Sequence, residues 1–216
     1  MARQSGTSAG GVRLLVVGRA FETARVADDR ADLDDVTLAR ARQGDRQAFR
    51  VLVERYQRPV FALLGRMLLR AGRESIVEDL AQETFVRVFR SLPTFGADGR
   101  HNISAWILTI AARLAIDELR REPRRAESLD GASFGIAAET GADELSERRR
   151  IGIAIERAVG ELAPEYRAAF LLREVHDMDY ESIAEALRVD IGTVKSRLSR
   201  ARAALRRALQ GTYDER

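Results

Sequence analysis

Residues 180–205 read YESIAEALRVDIGTVKSRLSRARAAL, and the spacing of apolar side chains in this stretch predicts two short helices joined by a turn. Ala184 supplies the small side chain that a close helix crossing needs. The apolar side chains at intervals suited to packing the two helices together are Ile183, Leu187, Val189, Val194 and Leu198. The stretch therefore has the pattern of a helix-turn-helix motif.

The second helix of this motif divides into an apolar face and a polar, cationic face. Its inward stripe consists of Val194, Leu198, Ala201 and Leu205. Its other faces carry Lys195, Ser196, Ser199, Arg200 and Arg202. A DNA-recognition helix needs this division, because a core holds one face while the other offers donors to phosphates and base edges. An arginine-rich helix that only faces solvent is the alternative interpretation.

The charge of the chain is distributed unevenly along its 216 residues. The net charge is +3, but residues 37–121 hold fifteen arginines and nine acids, and residues 188–207 hold seven cations and one acid. Residues 122–150, which lie between them, hold five arginines and seven acids. Basic segments separated by an acidic one are typical of a chain that contacts a polyanion at two places. A hydrophobic content of 45% is enough for one ordinary domain or two small ones.

The composition also argues against metal sites, disulfide bonds and membrane-spanning segments. Cysteine is absent, and His101 and His176 do not have the spacing of metal ligands. We therefore expect no metal site and no cofactor, and we place both histidines at the surface or at helix ends. No apolar run reaches the roughly 18 residues of a membrane span, and the N-terminal run Leu14–Val17 is too short for a signal peptide. These features predict a cytoplasmic protein without membrane insertion.

Capping and helix-breaking residues predict an all-α chain of two small domains joined by a flexible linker, the second containing the helix-turn-helix. Residues 1–33 lack a sustained period and are expected to form a flexible leader. Residues 34–122 form the first domain. Residues 123–147, rich in glycine and charge, form the linker, and residues 148–210 form the second domain.

Helix limits follow from the same signals. Ser75 and Ser104 are expected N-caps, and Pro164 is expected in the first turn of a helix in the second domain. Four helical segments are expected in the first domain. The first ends at Arg42, and the second spans Asp45–Leu69 with an interruption near Pro59. The third spans Ser75–Phe89, and the fourth spans Ser104–Arg121.

Several segments resemble, in the same order, parts of bacterial extracytoplasmic-function (ECF) sigma factors. LAPEYRAAFLLREV at residues 162–175, together with YESIAEAL and GTVKSRL in the helix-turn-helix, resembles their domain 4. EDLAQETF at residues 78–85 is similar to the helix that binds RNA polymerase. Trp106 and LAIDELRR at residues 114–121 are similar to the helix that meets the promoter -10 element. The resemblance covers residues from about 37 to 209.

The resemblance implies a promoter-specificity subunit of bacterial RNA polymerase that is not an enzyme and needs no cofactor. Its implied partners are core RNA polymerase, promoter DNA and an anti-sigma factor. The alternative is a free-standing helix-turn-helix transcription regulator whose first domain senses a ligand or dimerises. An enzyme ranks third, since the sequence has no phosphate loop, metal cluster or organised nucleophile and base. No catalytic residue is expected.

Polymerase contacts are expected on the EDLAQETF helix. Asp79, Gln82 and Phe85 are spaced about one helical turn apart and present a charge, an amide and an aromatic anchor on one winding strip. Taken alone, Phe85 could equally be a core aromatic.

Contacts with the -10 element are expected around the start of the following helix. Opening DNA requires the capture of a base that has left its stack, and polar donors beside an aromatic ring suit this task. Trp106 has the alternative role of a packed helix residue. Ala112 and Arg113 stand where members of the family often carry an Arg-Asn pair. The expected -10 residues are Arg100, His101, Asn102, Ser104, Trp106, Arg113 and Arg120.

Contacts with the -35 element are expected on the second helix of the helix-turn-helix. Asp190 should accept the free N–H groups that open this helix. Ser199 is small where some relatives carry a larger side chain. The expected -35 residues are Thr193, Lys195, Ser196, Arg197, Ser199 and Arg200.

Overall fold

The computed structural model describes residues 33–68, 74–96, 102–121 and 152–214. These ranges are helical apart from short turns and contain no strand, so the prediction of an all-α fold is confirmed for them. The linker predicted at 123–147 and nearly all of the predicted leader lie outside the described residues.

The described helices follow one another in the order that the sequence predicts. They are α1 (Asp35–Arg42), α2 (Arg46–Leu68), α3 (Glu74–Ser91), α4 (Ile103–Arg121), α5 (152–160), α6 (Pro164–Glu174), α7 (Tyr180–Leu187) and α8 (Ile191–Asp214), with a 3-10 turn at Leu92–Thr94.

Helix α2 is continuous, so the predicted interruption near Pro59 is wrong. Pro59 lies inside the helix, where a proline typically costs about 3 kcal/mol because it removes a hydrogen bond and crowds the preceding turn. The helix buries nine side chains, among them Pro59 itself, Leu52 and Leu63. Tertiary burial on this scale offsets the local penalty.

Two predicted N-caps are also wrong. Ser75 lies within α3 rather than before it, and Ser104 lies within the first turn of α4. The residue that caps α4 is Asn102, whose Oδ1 accepts a hydrogen bond from the Ala105 N–H at 2.8 Å. Pro164 does occupy the first turn of its helix, as predicted.

The first four helices pack around α2. Helix α2 contacts α1, α3 and α4, and α3 also contacts α4. Helices α6, α7 and α8 form a second group in which each packs against the other two. Its buried centre includes Phe170, Ile183 and Leu198.

The two groups of helices are in direct contact. Helix α4 packs against α6 and α7, and α2 packs against α6. Their buried side chains form one continuous hydrophobic cluster. The segments that the sequence analysis assigns to two domains thus share a core in this structure.

A buried arginine joins the groups at this contact. Arg167 on α6 is only 6% exposed, and its guanidinium donates to the backbone carbonyls of Met67, Gly160 and Leu162. Met67 lies at the C-terminal end of α2, Gly160 is the last residue of α5, and Leu162 lies in the turn that follows α5. The last carbonyls of a helix lack intrahelical donors, so one cation satisfies two helix ends at once.

His176 directly follows the C-cap of α6, so it lies at a helix end, one of the two positions expected for it, and it is half-buried there. Its Nε2 is buried without a hydrogen-bond partner among the described residues. Burial, reinforced by the positive charge of Arg66 on α2, lowers the pKa of His176 to about 4. Burial also lowers the pKa of Arg66 and raises the pKa of Glu156 on α5, and the attraction between the two charges partly offsets both shifts. His176 is therefore neutral at neutral pH.

We expect Arg167→Met to lower the free energy of unfolding by about 3 kcal/mol, because three carbonyls would lose a buried charged donor. Urea unfolding checks the value. Arg157→Met is the matched control, because Arg157 is exposed on α5, and we expect it to change stability by less than about 0.5 kcal/mol. Equal losses in the two variants would contradict the role of Arg167.

Candidate DNA and polymerase interfaces

Helix α8 begins with the side-chain cap that the sequence predicts. The Asp190 carboxylate accepts hydrogen bonds from the Thr193 N–H and the Thr193 hydroxyl, each at 2.7 Å. These bonds hold the pKa of Asp190 below its ordinary value. A Cβ at Gly192 would lie 2.9 Å from Asp190 Oδ1, so glycine leaves room for the carboxylate over the helix end.

The predicted division of α8 into a buried and an exposed face is confirmed. Its buried side chains are Val194, Leu198, Ala201 and Leu205. Of the expected -35 residues, Lys195, Ser196, Ser199 and Arg200 are exposed, and Thr193 and Arg197 are half-buried. Four side chains with hydrogen-bond donors therefore project from the first three turns of the helix into solvent.

Helix α8 is held in place by contacts with α6 and by the turn that precedes it. Glu174 Oε1 accepts from Arg202 Nη2 at 2.6 Å, and Arg200 Nη1 donates to the Tyr166 hydroxyl at 3.1 Å. Helix α7 ends at Leu187, and its C-cap Arg188 adopts a left-handed backbone with φ 53° that reverses the chain toward α8. Tyr166 was not anticipated from the sequence, and its spacing gives no signal of a contact with α8.

The strip expected to bind polymerase lies on the outer side of α3. Asp79 and Gln82 are exposed, and Phe85 is half-buried against the hydrophobic core. Phe89, one turn further along α3, is 48% exposed and packs edge-on against the Phe49 ring, with centroids 5.0 Å apart. Phe89 is not among the predicted contacts, although its position four residues after Phe85 extends the same strip.

The expected -10 residues near the start of α4 occupy different environments. Arg100 and His101 lie outside the described residues. Asn102 is exposed and caps α4, and Ser104 is half-buried. Trp106 is 9% exposed, with its ring centroid 4.9 Å from that of Phe95. Trp106 therefore has the position of a packed helix residue, which was the alternative to a role in DNA binding. Its ring faces the core in this conformation.

The two expected -10 arginines further along α4 contact the second group of helices. Arg113 Nε donates to the Ala186 carbonyl and Arg113 Nη2 donates to the Glu185 carbonyl, both at 2.8 Å. Arg120 Nη2 lies 2.6 Å from Glu165 Oε1 on α6. Both guanidinium groups thus bind acceptors of their own chain.

Glu165 interacts with cations of both expected DNA-reading helices. Partial burial acts to raise the pKa of Glu165. The pKa nevertheless lies below its ordinary value, because Arg120 supplies a hydrogen bond and a positive charge, the Glu165 backbone N–H supplies a second hydrogen bond, and Arg197 on α8 supplies a second positive charge. The carboxylate is therefore ionised at neutral pH, in the first turn of α6 where the helix dipole also favours an anion.

We expect Asp190→Ala to lower the free energy of unfolding by about 1 kcal/mol, because the first turn of α8 would lose its side-chain acceptor. Thermal or urea unfolding measures the effect. Asp190→Asn retains an acceptor at the same position and should lose only a few tenths of that value. An equal loss in both variants would show that the capping bond is not the source of the effect.

No described helix is long and apolar enough to cross a membrane. The described residues also contain no group of three or more side chains that could hold a metal ion.

Two family models match the chain in separate segments. Residues 52–125 match sigma-70 region 2, and residues 152–205 match sigma-70 region 4. The first match includes α4 and most of α2, and the second includes the helix-turn-helix.

Curated and solved relatives agree with these matches. The ECF RNA polymerase sigma-E factor of Haemophilus influenzae is 30% identical over 186 residues, which cover 82% of this chain and 95% of that protein. The RNA polymerase sigma-H factor of Pseudomonas aeruginosa is 31% identical over 82% of this chain and 94% of that protein. The structure of CnrH in complex with the cytosolic domain of CnrY aligns with a TM-score of 0.58 and 26% identity, covering 83% of this chain and 99% of that one.

The sigma factor RpoE of Bartonella quintana, solved in complex with the anti-sigma factor NepR, has the same fold, with a TM-score of 0.58 at 22% identity over 75% of this chain and 96% of that one. The order of regions 2 and 4, the helix-turn-helix geometry and the extent of the sequence matches together establish that this chain belongs to the ECF RNA polymerase sigma factors.

Proposed function

We propose that this sigma factor binds core RNA polymerase through the strip on α3 and reads a promoter with α4 at the -10 element and α8 at the -35 element. In this proposal it directs promoter-specific initiation and carries out no catalysis of its own. The observation that supports it best is the architecture of α8, a capped helix with a buried apolar stripe and four exposed donor side chains. A cytoplasmic location belongs to the same proposal.

Helix α8 supplies two kinds of DNA contact in this proposal. Lys195 is an exposed point charge suited to a phosphate, whereas the planar guanidinium of Arg200 suits either a phosphate or a guanine edge. Ser199 adds a short hydroxyl donor on the same exposed face. The Ser196 hydroxyl donates to the Thr193 carbonyl at 2.9 Å and so adds an acceptor. At the N-terminus of α8 the Thr193 N–H already donates to Asp190, whose carboxylate lies over the helix end. The side chains rather than the helix end therefore carry the recognition.

Simultaneous binding of the two elements supplies the affinity that neither domain provides alone. We place the first domain at 34–122, the linker at 123–147 and the second domain at 148–210. A flexible chain of about 25 residues has a root-mean-square reach of roughly 25 to 30 Å. Tethering at this range raises the local concentration of the second domain once the first has bound.

An anti-sigma factor is the remaining partner in this proposal. The RpoE relative was solved with an anti-sigma factor, and that relative shares the fold of this chain. The exposed aromatic and aliphatic side chains of the first domain, such as Phe61 and Phe89, would suit any protein partner of this region.

We expect Lys195→Ala and Arg200→Ala each to reduce initiation from a promoter with an intact -35 element about ten-fold, because each removes a cationic contact with DNA. Arg200→Ala should also alter base preference if its contact is with a base edge. Transcription in vitro with core polymerase measures both effects on templates with intact and mutated -35 elements.

The control for these variants is Arg206→Ala, which removes an exposed cation further along α8. It should leave initiation within about two-fold, because its side chain is about two turns beyond the proposed contacts. Losses of equal size on templates with and without the -35 element would rule out the role given to α8.

We expect the double variant Asp79→Ala, Gln82→Ala to weaken binding to core polymerase at least about ten-fold, since both side chains lie at the centre of the proposed contact. Its free energy of unfolding should change by less than about 0.5 kcal/mol, because both are exposed. Fluorescence anisotropy of the labelled chain with core polymerase gives the affinity.

The matched control is Asp35→Ala, Gln47→Ala, which removes an exposed aspartate and an exposed glutamine from α1 and α2. It should bind core polymerase like the unsubstituted chain. Unchanged affinity in the Asp79, Gln82 variant would place the polymerase contact elsewhere.

A further inference from the structure

Arg200 and Arg202 lie on the same helix but have partners of different charge. Arg202 pairs with the Glu174 carboxylate at 2.6 Å, and its side chain is 33% exposed. Arg200 is exposed, and its partner is the uncharged hydroxyl of Tyr166, which accepts from Nη1 at 3.1 Å. A carboxylate offsets the charge of the arginine that it binds, whereas a phenol leaves that charge available to DNA. The contact with Tyr166 therefore restrains Arg200 without neutralising it.

We propose that Tyr166 is a positioning residue for recognition of the -35 element: it orients the Arg200 guanidinium so that the open edge of this group reads a guanine. The inference rests on the proposed function, because it assumes that α8 reads the -35 element. The proposed function allows Arg200 either a phosphate or a guanine edge as its target, and the contact with Tyr166 favours the guanine edge.

The bond to Tyr166 occupies one side of the Arg200 guanidinium and leaves the other side open. Nε and Nη2 of an arginine present two parallel N–H groups. Three arginines of this chain bind their acceptors through that pair of atoms, namely Arg113, Arg120 and Arg202. In Arg200 the hydroxyl engages Nη1, and within the described part of the chain Arg200 has no other hydrogen bond or ion pair. Its Nε and Nη2 can therefore make the paired contact that guanine O6 and N7 accept.

Tyr166 is well anchored within the second domain. Its ring packs against the hydrophobic cluster, and its backbone N–H donates to the Ala163 carbonyl at 2.9 Å in the first turn of α6. Pro164 fixes a backbone angle in the same turn. The next residue, Arg167, is buried and bonded to surrounding carbonyls. The Tyr166 hydroxyl is therefore an acceptor with a fixed position beside α8.

A fixed orientation matters more for a base than for a phosphate. A phosphate offers oxygens over a range of directions, so a flexible cation such as a lysine binds it well. A guanine edge presents O6 and N7 in one plane, and a guanidinium must meet them in that plane. A side chain that is ordered before DNA binds also loses less entropy on binding. Tyr166 should therefore increase discrimination between bases more than general affinity for DNA.

The test variant is Tyr166→Phe, which removes the hydroxyl and retains the packed ring. Core polymerase with the full chain transcribes a barcoded promoter library in which the -35 and -10 elements are randomised, and the barcodes give the base preference at each position. Arg200→Ala identifies the position that Arg200 reads, which should be a G·C pair. We expect Tyr166→Phe to lower the preference for guanine at that position about five-fold and to change every other position by less than about two-fold.

Tyr180→Phe is the matched control. Tyr180 is also half-buried, and its hydroxyl interacts with Arg202, which is not a proposed -35 contact. This variant should keep the preference at every position within about two-fold. Neither substitution changes the charge, so both variants should bind an unrelated duplex like the unsubstituted chain and with the same dependence on salt. Midpoints of thermal unfolding within about 3 °C of the unsubstituted chain will show that both variants fold.

A double-variant cycle separates positioning from direct contact with DNA. In the Arg200→Ala background, Tyr166→Phe should cause no further loss of base preference, because the side chain that Tyr166 orients is absent. An equal loss in both backgrounds would overturn the inference, since Tyr166 would then act on DNA without Arg200.

Other results would overturn the inference as well. They are an unchanged preference in Tyr166→Phe, a loss spread evenly over all positions, an equal loss in Tyr180→Phe, and an Arg200→Ala variant that loses no preference for guanine. If transcription by the unsubstituted chain did not depend on the -35 element at all, the proposed function itself would be wrong. The unsubstituted chain thus distinguishes the two failures.

Discussion

The buried guanidinium of Arg167 is the interaction on which the arrangement of this chain depends. An ionised side chain that is 6% exposed is tolerated only where acceptors surround it, and here they are the carbonyls at the ends of α2 and α5. These carbonyls belong to segments that match two different sigma-70 regions. If the two regions separated, the Arg167 guanidinium would lose its acceptors in one region and leave those carbonyls without a donor. Arg167 therefore couples the packing of the two regions.

The same requirement for acceptors explains how the chain presents its other arginines. Arg113, Arg120 and Arg202 each bind a carbonyl or carboxylate of the chain, whereas Lys195 and Ser199 extend from α8 into solvent. A DNA-binding protein must keep cations at its surface without letting them repel one another. Acidic side chains and helix C-termini do this locally, and phosphates can later take their place.

Local features of the fold and of the candidate site could be predicted because they depend on neighbouring residues. The Asp190 cap, the first-turn position of Pro164 and the two faces of α8 follow from spacing over one or two turns. Pro59 was misjudged because its penalty is local, whereas the burial that offsets it comes from the whole of α2 and its neighbours. Sequence spacing also cannot decide between Asn102 and Ser104 as the cap of α4, since either side chain can accept the N–H of a first turn.

Contacts between distant segments were beyond the reach of the sequence pattern. Nothing near His176 indicates that its Nε2 is buried or that its imidazole feels the charge of Arg66, about 110 residues earlier in the chain. Arg113 and Arg120 were expected to bind DNA because they are cations on a helix that resembles a promoter-binding one. Such a resemblance carries no information about acceptors elsewhere in the same chain. The structure supplies such acceptors: two backbone carbonyls at a helix C-terminus for Arg113 and the Glu165 carboxylate for Arg120. An arginine suited to phosphate is, for the same physical reason, suited to a helix C-terminus or a carboxylate. A promoter-binding face of this composition is therefore also a face to which another part of the same chain can dock.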